Sequence, residues 1–384
     1  MTLRPTITRT AFLATVLAWW QPRSARAENS VAYKYQDYRE ADGRIAVRAQ
    51  YGLVEQDLGT DWHVKAQGVI DAIAGATPNG QPPATPGGPV PLSQLTERRK
   101  AWSAELSHQL PLVNVALGVA NSRESDYVSN GWSLNTRTDF NQKNTTLLLG
   151  VAGTDDDVSI RYLRTVAKKR GLDLVAGVTQ LLDPRTSASV NLGFGRSTGY
   201  LGDPYRLVEQ RIQIVPGIVL PFDFPENRPD HRSKWTVLGS LNRAVPDWNG
   251  AAEASYRFYR DTFGTTAHTV ELAWFQTCGT RLTLVPSVRW YEQTAADFYV
   301  VTLTGASFTP TYQLNPAGPF YSADYRLSAF RSVQYGLKAV VDLAANWQLD
   351  AAIEKYEMHG RDGATSPYVY PAATIVTVGL KLTW

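Results

Sequence analysis

The sequence predicts a transmembrane antiparallel up-and-down β-barrel of about sixteen strands. Three observations lead to this fold class. Segments of about ten residues alternate apolar and polar positions, their apolar faces often end in Trp or Tyr, and short turns alternate with longer connections. Aromatic girdles and alternating loop lengths are typical of outer-membrane barrels. A soluble sandwich would also alternate, with its apolar face inward, but it has no reason to alternate loop lengths so regularly.

The composition excludes several other classes. The chain has 384 residues, of which 43% are hydrophobic, 19% charged and 11% aromatic. No apolar run of about 18 residues follows the N-terminus, which excludes a helical membrane protein. The single cysteine, Cys278, excludes an internal disulfide framework and a multi-cysteine metal site.

The N-terminus predicts export. Arg4 and Arg9 precede an apolar run at 11–20, and Ala25-Arg26-Ala27 forms a cleavage site. Residues 1–27 are therefore expected to be a cleaved signal peptide, and 28–384 a single outer-membrane barrel domain. A short membrane anchor is the alternative, but ten residues span only about half of a ~30 Å hydrocarbon core. Cleavage removes four arginines and no acidic residue, so the net charge changes from +3 to −1, which removes the support for a nucleic-acid partner.

The last segment shows the alternation most clearly, because Val376, Val378, Leu380, Leu382 and Trp384 share one face. The same pattern near the N-terminus places Ile45, Val47, Ala49, Tyr51 and Leu53 on an apolar face that is expected to meet lipid. The predicted strands are 30–39, 44–56, 60–74, 98–109, 111–125, 129–140, 143–152, 171–182, 185–198, 233–245, 248–260, 264–277, 280–296, 326–343, 346–360 and 371–384. Counts of fourteen or eighteen are also compatible, because three of these segments alternate weakly. An even count places both chain ends on the periplasmic side.

The sequence carries no catalytic motif and predicts neither an enzyme nor a cofactor. His108 follows Ser107, but neighbours along a strand face opposite sides. Asp155, Asp156 and Asp157 lack the spacing of a calcium loop and are expected to be a solvated acidic loop, so no metal site is predicted. A short helix is expected within 155–171, and the proline-rich segment 78–91 is expected to be an extended surface loop.

Function in such a barrel would lie in the lumen. The candidate lumen residues are Glu253, Arg257, Glu271, Arg289, Lys338, Asp342, Asp350, Glu354 and Lys381. Four are positive and five negative, so no ion selectivity follows. They are compatible with a water-filled pore that has a transverse field, and equally with a salt-bridged interior that braces the wall and narrows the lumen.

Seven motifs run through the chain in order: VIDAIAGATP (69–78), ESDY (124–127), GYLGDPY (199–205), ENRPDHR (226–232), YRFYRD (256–261), YEQTAADFY (291–299) and YSADYRL (321–327). Together they resemble the uncharacterised Gram-negative outer-membrane family called domain of unknown function 3570. The family has no settled activity. Its members are encoded beside thioredoxin-like proteins and flavin-attaching enzymes, so the resemblance implies a periplasmic redox or lipoprotein partner. The proline-rich loop departs from the commonest pattern of the family.

Four of these motifs lie at the bases of the two longest loops, 199–232 and 297–325. Charge-assisted hydrogen bonds from Arg, Asp and Tyr side chains are expected to hold these loops at the barrel mouth and so constrict the pore. The candidate anchoring residues are Asp203, Tyr205, Arg228, Asp230, Arg232, Asp297, Tyr299, Asp324 and Tyr325.

The sequence thus favours a porin-like channel for passive passage of small solutes or ions across the cell outer membrane. The first alternative is a non-conducting barrel that scaffolds a periplasmic redox or lipoprotein complex, and an outer-membrane enzyme is a remote third. The expected partners are outer-membrane lipid and the barrel-assembly machinery. Trp384 resembles the terminal aromatic that this machinery reads as its assembly signal.

Overall fold

A computed structural model describes residues 29–85, 88–160 and 162–384. Sixteen of its strands form one closed barrel, and two more form a separate hairpin. The barrel strands are β1 (Ser30–Glu40), β2 (Ala46–Leu58), β3 (Trp62–Pro78), β4 (Leu92–Gln109), β5 (Val113–Arg123), β6 (Tyr127–Phe140), β7 (Thr145–Ile160), β8 (Thr165–Asp183), β9 (Thr186–Gly199), β12 (His231–Val245), β13 (Gly250–Asp261), β14 (Thr266–Cys278), β15 (Leu282–Gln293), β16 (Phe330–Ala344), β17 (Trp347–Gly360) and β18 (Ala372–Thr383). The hairpin consists of β10 (Leu207–Val215) and β11 (Ile218–Pro225).

Every barrel strand pairs antiparallel with its neighbours, and β1 pairs with β18 from Ser30 opposite Thr383 to Glu40 opposite Ala373. This pairing closes the sheet. The hairpin is bypassed, because β9 pairs directly with β12. The predicted fold class and the predicted count of sixteen are confirmed.

The two ends of the barrel differ in their connections. One end, called here the short-turn end, carries the turns 59–61, 110–112, 141–144, 184–185, 246–249, 279–281 and 345–346. The first and last barrel residues, Ser30 and Thr383, also lie there. The other end, called the long-loop end, carries 79–91, 200–230, 294–329 and 361–371, with shorter connections between them.

Most strands orient their faces as predicted, with apolar side chains outward. On β18, Val376 and Val378 are exposed on the outer wall, while Lys381 points inward. The prediction for β2 is wrong. Ala49 is buried and shares the inner face with Glu55, whereas Arg48 and Gln50 face outward. The register with β1 and β3 decides this, because residues opposite each other share a face and Glu55 meets the inward Lys65.

The helix predicted within 155–171 is also wrong. Strands β7 and β8 extend through this segment and pair residue by residue from Ile160 to Thr145. Cross-strand charge pairs stabilise the extension, since Asp155 meets Arg170 and Asp157 meets Lys168 on the outer wall. The three aspartates are thus strand residues rather than a solvated loop.

Hairpin β10–β11 was not predicted. Its two strands meet at Pro216-Gly217, where Gly217 has a φ of +84°. A Pro-Gly pair between two apolar runs is a hairpin signal, and the left-handed backbone at this position favours glycine.

The predicted signal peptide, residues 1–27, lies outside the described residues. Among the residues that are described, no helix is long and apolar enough to cross a membrane.

Candidate functional site

The two longest loops fold into the barrel at the long-loop end. Tyr325, near the end of the second loop, is 4% exposed and belongs to one buried cluster with the inward side chains of Ile73, Leu95, Phe330 and Met358. These four residues belong to β3, β4, β16 and β17, on both sides of the seam between β1 and β18. The loop therefore reaches across the interior and contacts a wide arc of the inner wall.

Six charged side chains from these loops meet in a neutral group of three arginines and three carboxylates, called here the loop ion-pair cluster. It consists of Asp203, Arg206, Glu226, Arg228, Asp324 and Arg326. The first four come from loop 200–230 and the last two from loop 294–329. The cluster therefore ties the two loops to each other.

Two arginines of the cluster make direct contacts across this boundary. Arg326 reaches back to Asp203, with Nη2 at 2.6 Å from Oδ2, while its Nε lies 2.8 Å from Oδ1 of Asp324. Arg228 lies 2.8 Å from both Glu226 and Asp324. Asp324 is 1% exposed and accepts from both arginines. It is the central acceptor of the cluster.

Arg206 is held differently. Its guanidinium group is fully buried and lies 3.8 Å from Asp203 and 3.9 Å from Asp324. None of its three side-chain nitrogens has a hydrogen-bond acceptor among the described residues. The group also lies over the Tyr325 ring, 5.6 Å from its centroid. Coulomb attraction and the aromatic face together replace the missing hydrogen bonds.

The cluster shifts the ionisation of its own carboxyls. Burial alone would raise the pKa of Asp324, but Arg326 and Arg206 outweigh burial and hold that pKa well below its usual range. Burial is also the largest effect on Glu226, and there it outweighs Arg228, so the pKa of Glu226 is raised. Glu226 is therefore the first of the two to take a proton on acidification, while Asp324 stays ionised.

Further contacts surround the loops at the barrel rim. The Tyr205 hydroxyl donates to the Asp126 carboxylate in the connection between β5 and β6. The Tyr299 hydroxyl lies 2.6 Å from Thr365 Oγ1 in the connection between β17 and β18. At the rim itself, Arg232 of β12 binds Asp261 of β13, with Nε at 2.8 Å from Oδ2. These contacts lie at separate points around the barrel. The mouth is thus filled by loops held from several sides.

Six of the nine predicted anchoring residues contribute their side chains to this arrangement, and Arg232, Asp230 and Asp297 do not. Arg232 pairs between two strands. Asp230 is exposed, and the one charged partner of its carboxylate in the described part of the chain is the adjacent His231. Asp297 holds its loop through its backbone N–H, which donates to the carbonyl oxygen of Phe263. Its carboxylate lies beside Gly264, where a Cβ would come within 2.1 Å of Oδ1 and where φ is +83°. Glycine is required at that position.

Sequence reasoning missed Arg206, Glu226 and Arg326. Glu226 and Arg326 stand inside the quoted motifs, and Arg206 directly follows GYLGDPY. The motifs therefore contained the signal, but they did not show which arginine meets which carboxylate.

The register places all nine predicted lumen residues on the inner face of β13–β18. Glu271 and Arg289 pair directly, with Nε at 2.9 Å from Oε1. Strands β1–β4 add inward charges that were not predicted, among them the pairs Glu55–Lys65 at 3.5 Å and Asp71–Arg99 at 2.5 Å. The inner wall from β13 through β18 and on to β4 is therefore lined by charged side chains of both signs, several of which are paired.

The five strands β5–β9 carry mainly small side chains on their inner face. These inward positions include Ala116, Gly118, Ala120, Gly131, Ser133, Gly150, Ala152, Gly177, Ser189, Gly193 and Gly195. Charged pairs interrupt this surface at both ends, with Arg137 beside Asp139 near the short turns and Lys169 beside Asp156 near the loops. Between them, Asp173 pairs with Lys234 of β12 at 2.9 Å. Small residues leave space inside the barrel below the loops.

Histidines and acidic groups form no metal-binding arrangement in the described ranges. His108 faces outward and stacks on Trp62, with ring centroids 4.1 Å apart. His63 lies 2.7 Å from Asp57 on the inner wall, opposite Ser107 in the register, but no hydrogen bond joins His63 to Ser107 in that part of the chain. No group of three His, Cys, Asp or Glu side chains that could hold a metal occurs among the described residues.

The comparison with protein families identifies the chain. The family model described as "Protein of unknown function (DUF3570)" matches residues 11–167 and 161–378. The chain therefore belongs to this family, and the resemblance seen in the motifs is confirmed. No curated protein sequence matches it significantly.

Solved structures share the barrel fold at low sequence identity. A bacterial polysaccharide outer membrane secretin has a TM-score of 0.50 and 9% identity, and the match covers 94% of this chain and 100% of that one. CdiB from Acinetobacter baumannii has a TM-score of 0.51 and 8% identity, covering 94% of this chain and 61% of that one. The siderophore receptor PirA from Pseudomonas aeruginosa has a TM-score of 0.47 and 11% identity, covering 94% and 62%. The secretin and CdiB, with TM-scores of 0.50 and 0.51, show that the fold resembles that of outer-membrane proteins.

Proposed function

We propose that this protein is an outer-membrane channel for passive passage of small solutes or ions, and that its outer entrance is constricted by the two long loops. The observation that carries the proposal is the part of the inner wall formed by the five strands β5–β9, which is lined mainly by small residues. Side chains fill an eight-stranded barrel, whereas barrels of sixteen strands leave an aqueous lumen. Small inward residues widen that lumen further.

The charges on strands β13–β18 and β1–β4 bear on selectivity. The nine predicted lumen residues and the three pairs Lys34–Asp350, Glu55–Lys65 and Asp71–Arg99 contribute similar numbers of cations and anions. Neither sign dominates along the wall. We therefore expect weak selectivity between small anions and cations.

The second candidate is a non-conducting barrel that scaffolds a periplasmic redox or lipoprotein complex. The loop ion-pair cluster favours it, because Asp324 and Arg206 are buried within a mouth fastened at several points. A rigid, filled mouth would close the lumen to solutes.

Single-channel recording in a planar bilayer separates the two candidates. The chain from residue 28 onward, refolded into bilayers, is expected to give discrete conductance steps. The Asp324→Asn variant is expected to conduct more, because the two loops lose the central acceptor that joins them. Asp230→Asn is the matched control, since Asp230 is a loop aspartate outside the cluster.

The outcomes are distinct. Steps that are larger or noisier only in Asp324→Asn support a channel constricted by these loops. A folded barrel that stays silent in all three forms overturns the channel proposal and favours the scaffold. Equal conductance steps in all three forms would support a channel but would mean that the two long loops do not constrict it.

A further inference from the structure

The outer wall of the barrel is asymmetric in charge. Toward the long-loop end it carries a band of exposed cations, including Arg48, Arg98, Lys100 and Arg123. Toward the short-turn end, Arg243 is the one Lys or Arg at an outward strand position in the described ranges. The remaining outward strand positions there are apolar, small or uncharged polar residues, apart from Asp183, which lies 3.9 Å from Arg243.

Within the band, like charges face each other. Lys100 on β4 lies directly opposite Arg123 on β5, and Arg98 follows on the same face two residues along β4. Residues directly opposite have Cβ atoms about 4.5–5.5 Å apart, and like charges at such positions are destabilising. Arg48 lies in the same row as Arg98, separated by Ala72.

These cations lack enough carboxylates to balance them. Arg48 lies 3.7 Å from Asp37, which it shares with Arg39. The side-chain nitrogens of Arg98, Lys100 and Arg123 have no carboxylate oxygen within 4.0 Å among residues 29–85, 88–160 and 162–384. An external anion would therefore neutralise this part of the wall.

The cation band also includes a surface groove, which lies on strands β6–β9. The groove has a volume of about 500 Å³ and is lined by Trp132, Asp155, Arg170 and Arg196, among others. All four side chains face outward, from β6, β7, β8 and β9. An indole beside two guanidinium groups suits a ligand with both apolar and anionic parts.

The height of the band matches a lipid headgroup layer. Trp62 lies opposite His108 near the short turns, and Arg98 is ten residues from His108 along β4. At about 3.4 Å per residue and a tilt of about 40°, Arg98 lies roughly 26 Å above Trp62 along the membrane normal. This is close to the height of about 25 Å of the apolar band of an outer-membrane barrel.

We propose that the outward cation triad Arg98, Lys100 and Arg123 binds the phosphate groups of the glycolipid in the outer leaflet, the lipid A part of lipopolysaccharide. Phosphate oxygens accept charge-assisted hydrogen bonds from arginine and lysine and relieve the repulsion within the triad. The inference rests on the outer-membrane location proposed above, with the long loops outside, but not on conduction through the lumen.

The test is binding of purified lipid A to the folded barrel in detergent, measured by native mass spectrometry. The variant Arg98→Gln/Lys100→Gln/Arg123→Gln removes the triad. The matched control Lys143→Gln/Arg185→Gln/Arg281→Gln removes three exposed charges from turns at the short-turn end. Heat-modifiable electrophoretic mobility checks that each barrel is folded, and the single variant Lys100→Gln replaces the triple variant if that fails to fold.

Bis-phosphorylated lipid A is expected to bind the unaltered and control barrels equally and the triad variant about tenfold more weakly. Equal binding to the triad variant would overturn the assignment. So would equal binding of dephosphorylated lipid A, or displacement by an equal concentration of inorganic phosphate. A negative result in this binding test would overturn the lipid A assignment alone. Conduction and membrane location are tested by separate measurements.

Discussion

The barrel wall and its mouth are built by different forces. The wall is a ladder of backbone hydrogen bonds in which each strand contacts two neighbours, and its side chains need only be apolar outside and polar or small inside. The mouth depends on particular side chains, because Asp324 and Arg206 are buried charges that need each other and their neighbours. Substitutions should therefore be tolerated widely in the wall and poorly in the cluster.

The largest expected effect concerns the whole wall. We expect Trp384→Asp to prevent membrane insertion, because it places a charge on the lipid face of the strand that we propose to be read during assembly. The measurement is the amount of heat-modifiable protein in the membrane fraction. Trp248→Asp is the control, since Trp248 is a highly exposed tryptophan in a turn. Normal membrane levels of the Trp384→Asp variant would mean that Trp384 is not an assembly signal.

The next effect is confined to the mouth. Asp324→Asn is expected to destabilise the docked loops by about 3–5 kcal/mol, because removing one partner of a buried ion pair leaves the other uncompensated. Hydrogen–deuterium exchange should rise in 200–230 and 294–329 while the strands stay protected. Asp230→Asn should leave exchange unchanged. Faster exchange spread evenly over the barrel would contradict the separation of mouth from wall.

The smallest effect is expected within the lumen. Glu271 and Arg289 form an ion pair at 2.9 Å, but their side chains are 39% and 36% exposed. Solvent screens such a pair, so Arg289→Gln should cost about 0–1 kcal/mol in the free energy of unfolding, measured in urea with detergent micelles. A loss as large as that of Asp324→Asn would mean that the lumen pair braces the wall.

The same contrast explains what the sequence could predict. Apolar and polar residues alternate along a strand because one face meets lipid. This pattern predicted all sixteen barrel strands, with most strand ends placed within a few residues of their observed positions. The pattern failed for β2, because Val47, Ala49 and Leu53 are apolar yet line the interior. It also failed at 155–171, where the charges that suggested a loop are cross-strand partners.

The cluster could be predicted only in part. The motifs placed arginine, aspartate and tyrosine at the loop bases, and six of the nine residues named there have side-chain contacts from within the loops. The sequence does not show which groups meet, because Arg326 and Asp203 are 123 residues apart and no periodicity relates them. Asp230 and Asp297 stand in equally suggestive motifs, but their carboxylates are not part of the loop ion-pair cluster.

Closure of the barrel has a consequence for self-association. Because β1 pairs with β18, the barrel presents no unpaired edge to another chain. Hairpin β10–β11 is an isolated two-stranded sheet, and apolar residues near its tip, such as Ile218 and Val219, are more than half exposed. Pro221 lacks an N–H, so it removes one donor from an edge of this hairpin. Any pairing of strands between copies would begin at this hairpin, and that proline makes it a poorer template for amyloid-like growth.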